Sequence, residues 1–298
     1  MAQKTVFITI AGKPNVGKST LLNSLLGEKV AIVSKKPQTT RTRITGILTE
    51  GENQYVFTDT PGLHKPKNLL GQYMMNVAGN ATVDADIIFF VVDVSNGPVS
   101  ENEKDTLRKI TKSSPNVFLI INKVDRTNKT DIAKTISELA GDMDFKSVIP
   151  ISALTGEGVD IILKEVNPFL VESPHFFPDD IYTDQPERQI IAEVIREKIL
   201  RLMEDEIPHG VAVVVEEFKE KKNALFIRAE IYCEKEAHKR IIIGKNGAML
   251  KKIGMYARED AEKLFGASIY LDLWVKVKEN WRERQSLVSN FGYNDANE

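Results

Sequence analysis

The chain has 298 residues, of which 42% are hydrophobic and 28% charged, and its net charge is −2. This composition is typical of a globular protein of about two domains, and it excludes disordered and fibrous classes. The single cysteine, Cys233, excludes an intrachain disulfide, and the four histidines lack the spacing of a zinc site. Residues 1–4 begin no apolar run and stretches such as 87–92 are too short to span a bilayer, so we expect neither a secretory signal nor a membrane-spanning helix.

Hydrophobic runs alternate with helical patterns through about residue 170. Strands are predicted near residues 4–10, 44–49, 54–58, 86–92, 117–121 and 147–151, and helices near 18–26, 69–82, 101–112, 130–140 and 157–170. The alternation indicates an α/β domain with a mostly parallel sheet. Ligands of such sheets bind at the carboxyl ends of the strands, so the loops that follow the strands are the candidates for a functional site.

The first of these loops, Gly12–Ser19, matches the phosphate-binding pattern G-x-x-x-x-G-K-[ST]. A β-branched apolar run precedes it and a helical pattern follows, which is the context that the motif requires. Lys18 is expected to reach the β- and γ-phosphates and the Ser19 hydroxyl to bind Mg²⁺, while backbone N–H groups surround the phosphates. The candidate nucleotide-binding residues here are Gly12, Asn15, Val16, Gly17, Lys18, Ser19 and Thr20.

Two later loops are candidate switch segments. Residues 37–43 form a polar loop in which we favour Thr40 over Thr39 as a Mg²⁺ ligand, and a simple solvated connection is the alternative. The run Asp59-Thr60-Pro61-Gly62 follows a predicted strand; Asp59 would hold Mg²⁺ through water and the Gly62 N–H would approach the γ-phosphate, although the run is also a good turn sequence. The candidate metal ligands are therefore Ser19, Thr40 and Asp59, and the candidate catalytic residues include Lys18, Thr40 and Gly62.

Two further loops are candidates for reading the base. Asn122, Lys123 and Asp125 follow the strand predicted at 117–121. The Asp125 carboxylate would accept hydrogen bonds from guanine N1–H and N2–H₂, which adenine does not offer, and leaving such a carboxylate unpaired is costly. The run Ser152-Ala153-Leu154 follows the next strand, and its Ala153 N–H is a candidate donor to guanine O6. We therefore expect GTP and GDP as ligands, with a chance charged loop as the alternative.

The order of these five segments resembles the translation-factor-like branch of the P-loop GTPases. Leu63 stands where Ras-like enzymes place their water-orienting glutamine, so the usual catalytic glutamine is absent. The resemblance to other GTPases that lack this glutamine implies that Asn15 acts with a K⁺ ion near the phosphates, where an arginine finger would otherwise act. Asn15 is on this ground a further candidate catalytic residue.

The second half of the chain has a different pattern. Residues 172–186 contain three prolines and no period, as is typical of an interdomain linker. A helix is then predicted at 187–205, strands at 211–217 and 224–232, helices at 235–242 and 248–264, and a strand at 268–277. We therefore predict a GTPase domain over 1–172, a linker over 173–186 and an α+β domain over 187–298.

The run Gly244-Lys245-Asn246-Gly247 places a G-x-x-G turn between two predicted helices. In the α-β-β-α-α-β order it resembles the loop with which KH domains of the second topological type clamp a nucleic-acid backbone. A plain corner between two helices is the alternative. The candidate RNA-binding residues are Gly244, Lys245, Asn246, Gly247, Lys251 and Lys252.

Charge supports an RNA ligand, because residues 219–285 hold 16 Lys and Arg against 10 Asp and Glu, a net charge of +6, whereas the rest of the chain is at −8. A GTPase domain followed by a KH domain resembles the Era-like family of bacterial GTPases, and segments 37–41, 59–64, 206–213 and 277–282 are similar to that family. The resemblance implies a cytoplasmic GTP-hydrolysing switch that binds the 3′ end of 16S rRNA, assists assembly of the small ribosomal subunit and contacts the inner face of the membrane peripherally; no DNA ligand is expected.

Two alternatives stay open at this point. A metabolic P-loop kinase would share the phosphate loop, but the pattern at Asn122–Asp125 disfavours it. A GTPase whose KH-like domain docks protein or membrane is the other alternative, and the intact Gly244–Gly247 loop disfavours that one.

Overall fold

The computed structural model describes residues 2–221 and 224–294. The chain divides into two compact units, the first made of residues up to 31, 40–65 and 74–184, and the second of 32–39, 66–73 and the residues from 185 onward. Each unit has a sheet and a hydrophobic core of its own. In the part of the chain that the structure describes, no helix is long and apolar enough to cross a membrane.

The first unit is built around a mixed sheet with the strand order β2-β3-β1-β4-β5-β6. Strands β3, β1, β4, β5 and β6 run parallel, whereas β2 is antiparallel to β3 and the short β7 is antiparallel to β1. The predicted α/β class with a mostly parallel sheet is confirmed. The elements from β1 to β7 are β1 Lys4–Gly12, α1 Lys18–Leu26, β2 Ile44–Glu50, β3 Asn53–Asp59, α2 Leu69–Ala81, β4 Ile87–Asp93, α3 Glu101–Ser113, β5 Val117–Asn122, α4 Lys129–Ala140, β6 Ser147–Ile151, α5 Val159–Val166 and β7 Val171–Glu172. Helix α2 begins in the second unit and continues into the first at residue 74.

The central strands are apolar on both faces because the sheet is covered on both sides. One face packs on α1 and α5 through residues such as Leu21 and Ile162, and the other packs on α3 and α4 through Leu107 and Leu139. Because strands β1, β3, β4, β5 and β6 are parallel, their carboxyl ends lie at the same edge of the sheet, where the loops that follow them meet. Helix α5 ends at Val166, earlier than predicted, because Pro168 follows and the chain continues as a 3-10 turn.

The segment 173–186, which was predicted as a linker, packs against the first unit for most of its length. The amides of Phe176 and Phe177 donate to the buried Gln54 side chain at 2.9 and 3.1 Å, and the Ile47 amide donates to the Tyr182 carbonyl at 2.9 Å. These bonds satisfy backbone groups that a free linker would leave to water. The first unit therefore continues to residue 184, beyond the end predicted at 172.

The second unit holds a sheet of order β10-β9-β8, in which β10 is parallel and β8 antiparallel to β9. The predicted α-β-β-α-α-β order is confirmed, with the first helix ending at Leu202 and an unpredicted short helix near the C-terminus. The elements are α6 Glu187–Leu202, β8 Ala212–Lys221, β9 Ala224–Cys233, α7 Glu236–Ile243, α8 Ala248–Phe265, β10 Ile269–Val277 and α9 Gln285–Asn290.

Residues 32–39 belong to the second unit, where they pack on α6. Arg196 is 1% exposed, and its guanidinium donates to the Gln38 carbonyl at 3.3 Å, to the Thr39 carbonyl and to Glu193. The buried Glu197 accepts the Val33 amide at 3.1 Å. Buried charges are tolerated here because each is paired or hydrogen-bonded.

Candidate functional site

The phosphate loop joins β1 to α1 at the edge where the parallel strands end. Lys18 is buried, and its ammonium donates to the carbonyls of Gly12 at 3.2 Å and Lys13 at 2.9 Å. Burial lowers the pKa of Lys18 to about 8, and the attraction of Asp59 opposes that shift. A cation held by two carbonyls beside a helix N-terminus is arranged to receive an anion.

The three predicted metal ligands lie together. The Ser19 hydroxyl donates to Asp59 Oδ2 at 2.6 Å and is 2.8 Å from the Thr40 hydroxyl, which donates to the same carboxylate oxygen at 3.1 Å. Asp59 is fully buried, burial raises the pKa of its carboxyl, and its Oδ1 has no hydrogen-bond partner among the described residues. Two hydroxyls and a buried carboxylate with a free oxygen are the hard ligands that Mg²⁺ prefers, so the residues fit that ion.

The competing threonine is engaged elsewhere. The Thr39 hydroxyl donates to the Lys36 carbonyl at 2.7 Å and lies 3.0 Å from the Ser34 hydroxyl. The structure thus brings Thr40, and not Thr39, to Ser19 and Asp59.

The loop after β3 closes on the phosphate loop at Gly62. A Cβ atom there would lie 2.5 Å from the Pro14 backbone nitrogen, so only glycine fits. The Leu63 amide donates to the Gly12 carbonyl at 3.1 Å, which ties the two loops together. Residue 63 is leucine and not glutamine, and its side chain packs against the hydrophobic cluster that contains Val92 and Leu107.

Asn122 connects three loops. It is buried at the end of β5, and its side-chain amide donates to the Val16 carbonyl at 2.7 Å. Its Oδ1 accepts the amides of Lys123 at 2.8 Å and Ala153 at 3.0 Å. The Ala153 N–H that the sequence suggested as a donor to guanine O6 is therefore used inside the protein in this structure.

The remaining residues of these two loops differ in their exposure to solvent. The Asp125 carboxylate is 20% exposed, with the Arg126 guanidinium 3.7 Å away. Ser152 is buried and its hydroxyl accepts the Thr155 amide at 3.2 Å, whereas Leu154 is 69% exposed. Asp125 thus keeps acceptor capacity for a ligand at the mouth of the site.

Asn15 has a left-handed backbone with φ of 64° and an exposed side chain, and its carbonyl accepts the Lys123 ammonium at 2.8 Å. The same ammonium pairs with Asp93 at the end of β4, a residue that the sequence reasoning missed. The available signal was its position, because Asp93 ends a parallel strand at the same edge as Asp59 and Asn122.

In the second unit, Gly244–Gly247 forms a tight turn between α7 and α8, with Asn246 in the left-handed region at φ of 52°. Lys245 and Asn246 are exposed at its tip. Gly247 caps α8, whose first turns carry the exposed Lys251 and Lys252. The predicted RNA-binding residues are thus brought together at one helix N-terminus, which attracts anions.

The fold and these two sites define a P-loop GTPase joined to a KH domain. Residues 7–123 match the family described as 50S ribosome-binding GTPase, and residues 206–282 match the KH domain family. The chain is 49% identical to the GTPase Era of Ruminiclostridium cellulolyticum over 98% of both chains. It is 50% identical to that of Clostridioides difficile over 98% of this chain and 99% of the relative. The chain therefore belongs to the GTPase Era family.

Solved structures agree with this assignment. An Aquifex aeolicus Era variant bound to GDP·AlF₄⁻ matches with a TM-score of 0.93 and 39% identity, covering 98% of this chain and 99% of its own. Era in complex with MgGDPNP and nucleotides 1506–1542 of 16S ribosomal RNA matches with a TM-score of 0.93 and 40% identity over the same shares. The protein is a GTPase, with GTP as substrate and GDP as product, of a class that works with Mg²⁺.

Proposed function

We propose that this chain is a GTP-hydrolysing switch that binds the 3′-terminal region of 16S rRNA through its KH domain and assists assembly of the small ribosomal subunit. The observation that carries the proposal is its full-length likeness to Era in complex with nucleotides 1506–1542 of that RNA. The open Gly244–Gly247 turn with its exposed lysines supports it.

We further propose the roles of the nucleotide-site residues. Lys18 neutralises β- and γ-phosphate charge, and the Gly62 N–H donates to the γ-phosphate. The lack of a side chain at Gly62 supports this role, because it lets the backbone lie against Pro14 of the phosphate loop. Ser19, Thr40 and Asp59 would hold Mg²⁺, which supplies electrostatic stabilisation of the phosphate oxygens. The backbone N–H groups of the phosphate loop and the loops at 122–125 and 152–154 orient the nucleotide.

Two parts of this proposal concern specificity and rate. Asp125 reads guanine, because its carboxylate stays open at the mouth of the site. Leu63 has no polar group to orient a water molecule, and Asn15 would hold K⁺, which would supply part of the charge stabilisation at the phosphates. Hydrolysis should then be faster in KCl than in matched NaCl, and Asn15→Ala should abolish the difference; equal wild-type rates in the two salts would refute this role.

The RNA proposal is tested by cross-linking RNA to the protein in cells and sequencing the bound fragments. We expect enrichment of the 3′ end of 16S rRNA, and loss of that enrichment with Gly247→Asp. Cross-links to other RNAs only, or to no RNA, would favour the alternative in which the KH domain docks protein or membrane. The proposed cytoplasmic location with peripheral membrane contact rests on the family resemblance, and fractionation of cells with and without a high-salt wash tests it.

A further inference from the structure

The strand β4 ends in a carboxylate that is almost entirely enclosed by donors. The Asp93 side chain is 10% exposed, and its Oδ2 pairs with the Lys123 ammonium at 2.5 Å and accepts the Asn96 side chain at 2.8 Å. Its Oδ1 accepts both the Ser95 amide at 2.9 Å and the Ser95 hydroxyl at 2.6 Å. The carboxylate is therefore held in one orientation by its own loop and aimed at Lys123.

Lys123 is held in an uncommon conformation. Its φ is 69°, in the left-handed region that few non-glycine residues occupy, and its backbone amide is fixed by Asn122 at 2.8 Å. Its ammonium bridges Asp93 and the Asn15 carbonyl of the phosphate loop. Such a backbone persists only where surrounding contacts determine it, and the contact with Asp93 is the charged one.

We propose that Asp93 is a positioning residue for guanine recognition. By holding the Lys123 side chain across the phosphate loop, it sets the turn Val124–Arg126 that presents Asp125 to the base. The inference rests on the proposed role of Asp125.

The electrostatics of the cluster agree with this role. Burial raises the pKa of the Asp93 carboxyl, but hydrogen bonds from Lys123 and Ser95 outweigh it and hold that pKa below its usual value. Asp93 is therefore ionised near neutral pH, and it compensates an ammonium whose side chain is only 23% exposed. Without the carboxylate, Lys123 would keep one carbonyl partner and gain freedom to leave the phosphate loop.

The consequence is specific to guanine geometry. With guanine, Asp125 accepts two hydrogen bonds, from N1–H and N2–H₂, and both must be aligned at once. The hypoxanthine base of IDP lacks the 2-amino group and offers only N1–H. A loop that has lost its orientation should lose the second bond first. Asp93 variants should therefore weaken GDP more than IDP, whereas a general loss of folding or of phosphate binding would weaken both equally.

The test is titration of the full chain with GDP and with IDP. Asp93→Asn keeps the shape of the side chain and removes its charge, and we expect GDP to bind about 10-fold more weakly, the scale of one hydrogen bond to a charged group, with a smaller loss for IDP. The matched control is Asp86→Asn at the other end of β4, where the carboxylate accepts the Phe7 amide at 2.8 Å and an amide oxygen can do the same. Asp86→Asn should leave both affinities unchanged.

A double-mutant cycle with Asp93→Ala and Lys123→Ala separates positioning through Lys123 from an independent effect. We expect the double variant to bind GDP no more weakly than Lys123→Ala alone. Additive losses, or equal losses of GDP and IDP in Asp93→Asn, would overturn the inference. Unchanged GDP affinity in Asp125→Asn would instead refute the proposed guanine contact, so the two failures are distinguishable.

Discussion

At the scale of single residues, the nucleotide site contains a buried cationic side chain and a buried carboxylate whose expected partners are the ligands. Lys18 and Asp59 are both buried, and each shifts the other's pKa toward ionisation against the cost of burial. The Asp59 Oδ1, which has no partner among the described residues, is placed to bind a cation, and the Lys18 ammonium is placed to bind a phosphate.

Replacement of Ser19 by alanine should separate metal binding from phosphate binding. The variant loses a hydroxyl that contacts both Thr40 and Asp59, and we expect GTP affinity in Mg²⁺ to fall by about 10-fold, with a much smaller change in EDTA. Nucleotide titrations in the two buffers measure this. A loss of equal size in both would show that Ser19 does not act through the metal.

The pKa of Lys18 predicts a pH dependence of nucleotide binding. The pKa in the free protein is lowered to about 8, and bound phosphates would raise it, so binding takes up a proton at pH values between the two. Well below pH 8 the lysine is already charged and affinity should be flat. Above it, GDP affinity should fall by up to about 10-fold per pH unit, and titrations from neutral to alkaline pH test this. Constant affinity over the whole range would contradict a lowered pKa.

At the scale of the elements, the turn between α7 and α8 is shaped by its two glycines in different ways. A Cβ at Gly244 would lie 2.7 Å from Met249 Cβ and 2.9 Å from its backbone nitrogen, whereas a Cβ at Gly247 would meet nothing within 4 Å. Gly247 is in the left-handed region at φ of 76°, which Asp and Asn tolerate better than other residues do. Substitution at Gly247 therefore tests RNA contact, whereas substitution at Gly244 disturbs the turn itself.

Gly247→Asp places a negative charge at the N-terminus of α8, and Gly247→Asn is the control of equal shape without charge. We expect RNA affinity to fall by about 10-fold or more in the aspartate variant and clearly less in the asparagine variant, because the charge repels phosphate and opposes anion binding at a helix N-terminus. GTP hydrolysis should persist in both. For the wild type, log affinity should fall with log salt by about 0.7 per phosphate neutralised. Equal RNA affinity in all three proteins would remove the turn from the RNA site.

At the scale of the whole molecule, the chain itself links the two units within the first candidate switch segment. Residues 32–39 pack in the second unit, where Arg196 binds the Gln38 and Thr39 carbonyls, and the next residue, Thr40, belongs to the first unit. A nucleotide that orders Thr40 therefore acts on a chain whose neighbouring residues are anchored to α6. This arrangement predicts that GTP and RNA affect each other's binding.

RNA affinity should consequently differ among the states with a non-hydrolysable GTP analogue, with GDP and without nucleotide, by a factor of about 5–150. Arg196→Lys keeps the charge but loses the planar fork that reaches two carbonyls, so it should reduce this factor. Arg188→Lys on the same helix, whose exposed side chain donates to the Val215 carbonyl, is the matched control. Three equal dissociation constants in the wild type would leave hydrolysis and RNA binding as unlinked activities.

The sequence by itself determined most of the strands and helices, and the motifs whose residues lie within one loop. Gly12–Ser19, Asp59–Gly62, Asn122–Asp125 and Gly244–Gly247 each have a spacing that one loop must satisfy, and period and turn residues placed the strands and helices around them. The choice of Thr40 over Thr39 as a Mg²⁺ ligand stays a prediction, and the structure places the Thr40 hydroxyl beside Ser19 and Asp59.

The tertiary structure alone decided which distant residues complete those loops. Asp93 meets Lys123 because β4 and β5 are neighbours in register, and the packing of residues 173–184 depends on Gln54, which lies more than a hundred positions earlier in the chain. Arg196 is buried because residues 32–39 cover it, although an arginine in a helical pattern is ordinarily an exposed one. These contacts arise from the order of the strands and the packing of the helices. They join residues that are far apart in the chain and belong to no common motif, so the sequence alone does not reveal them.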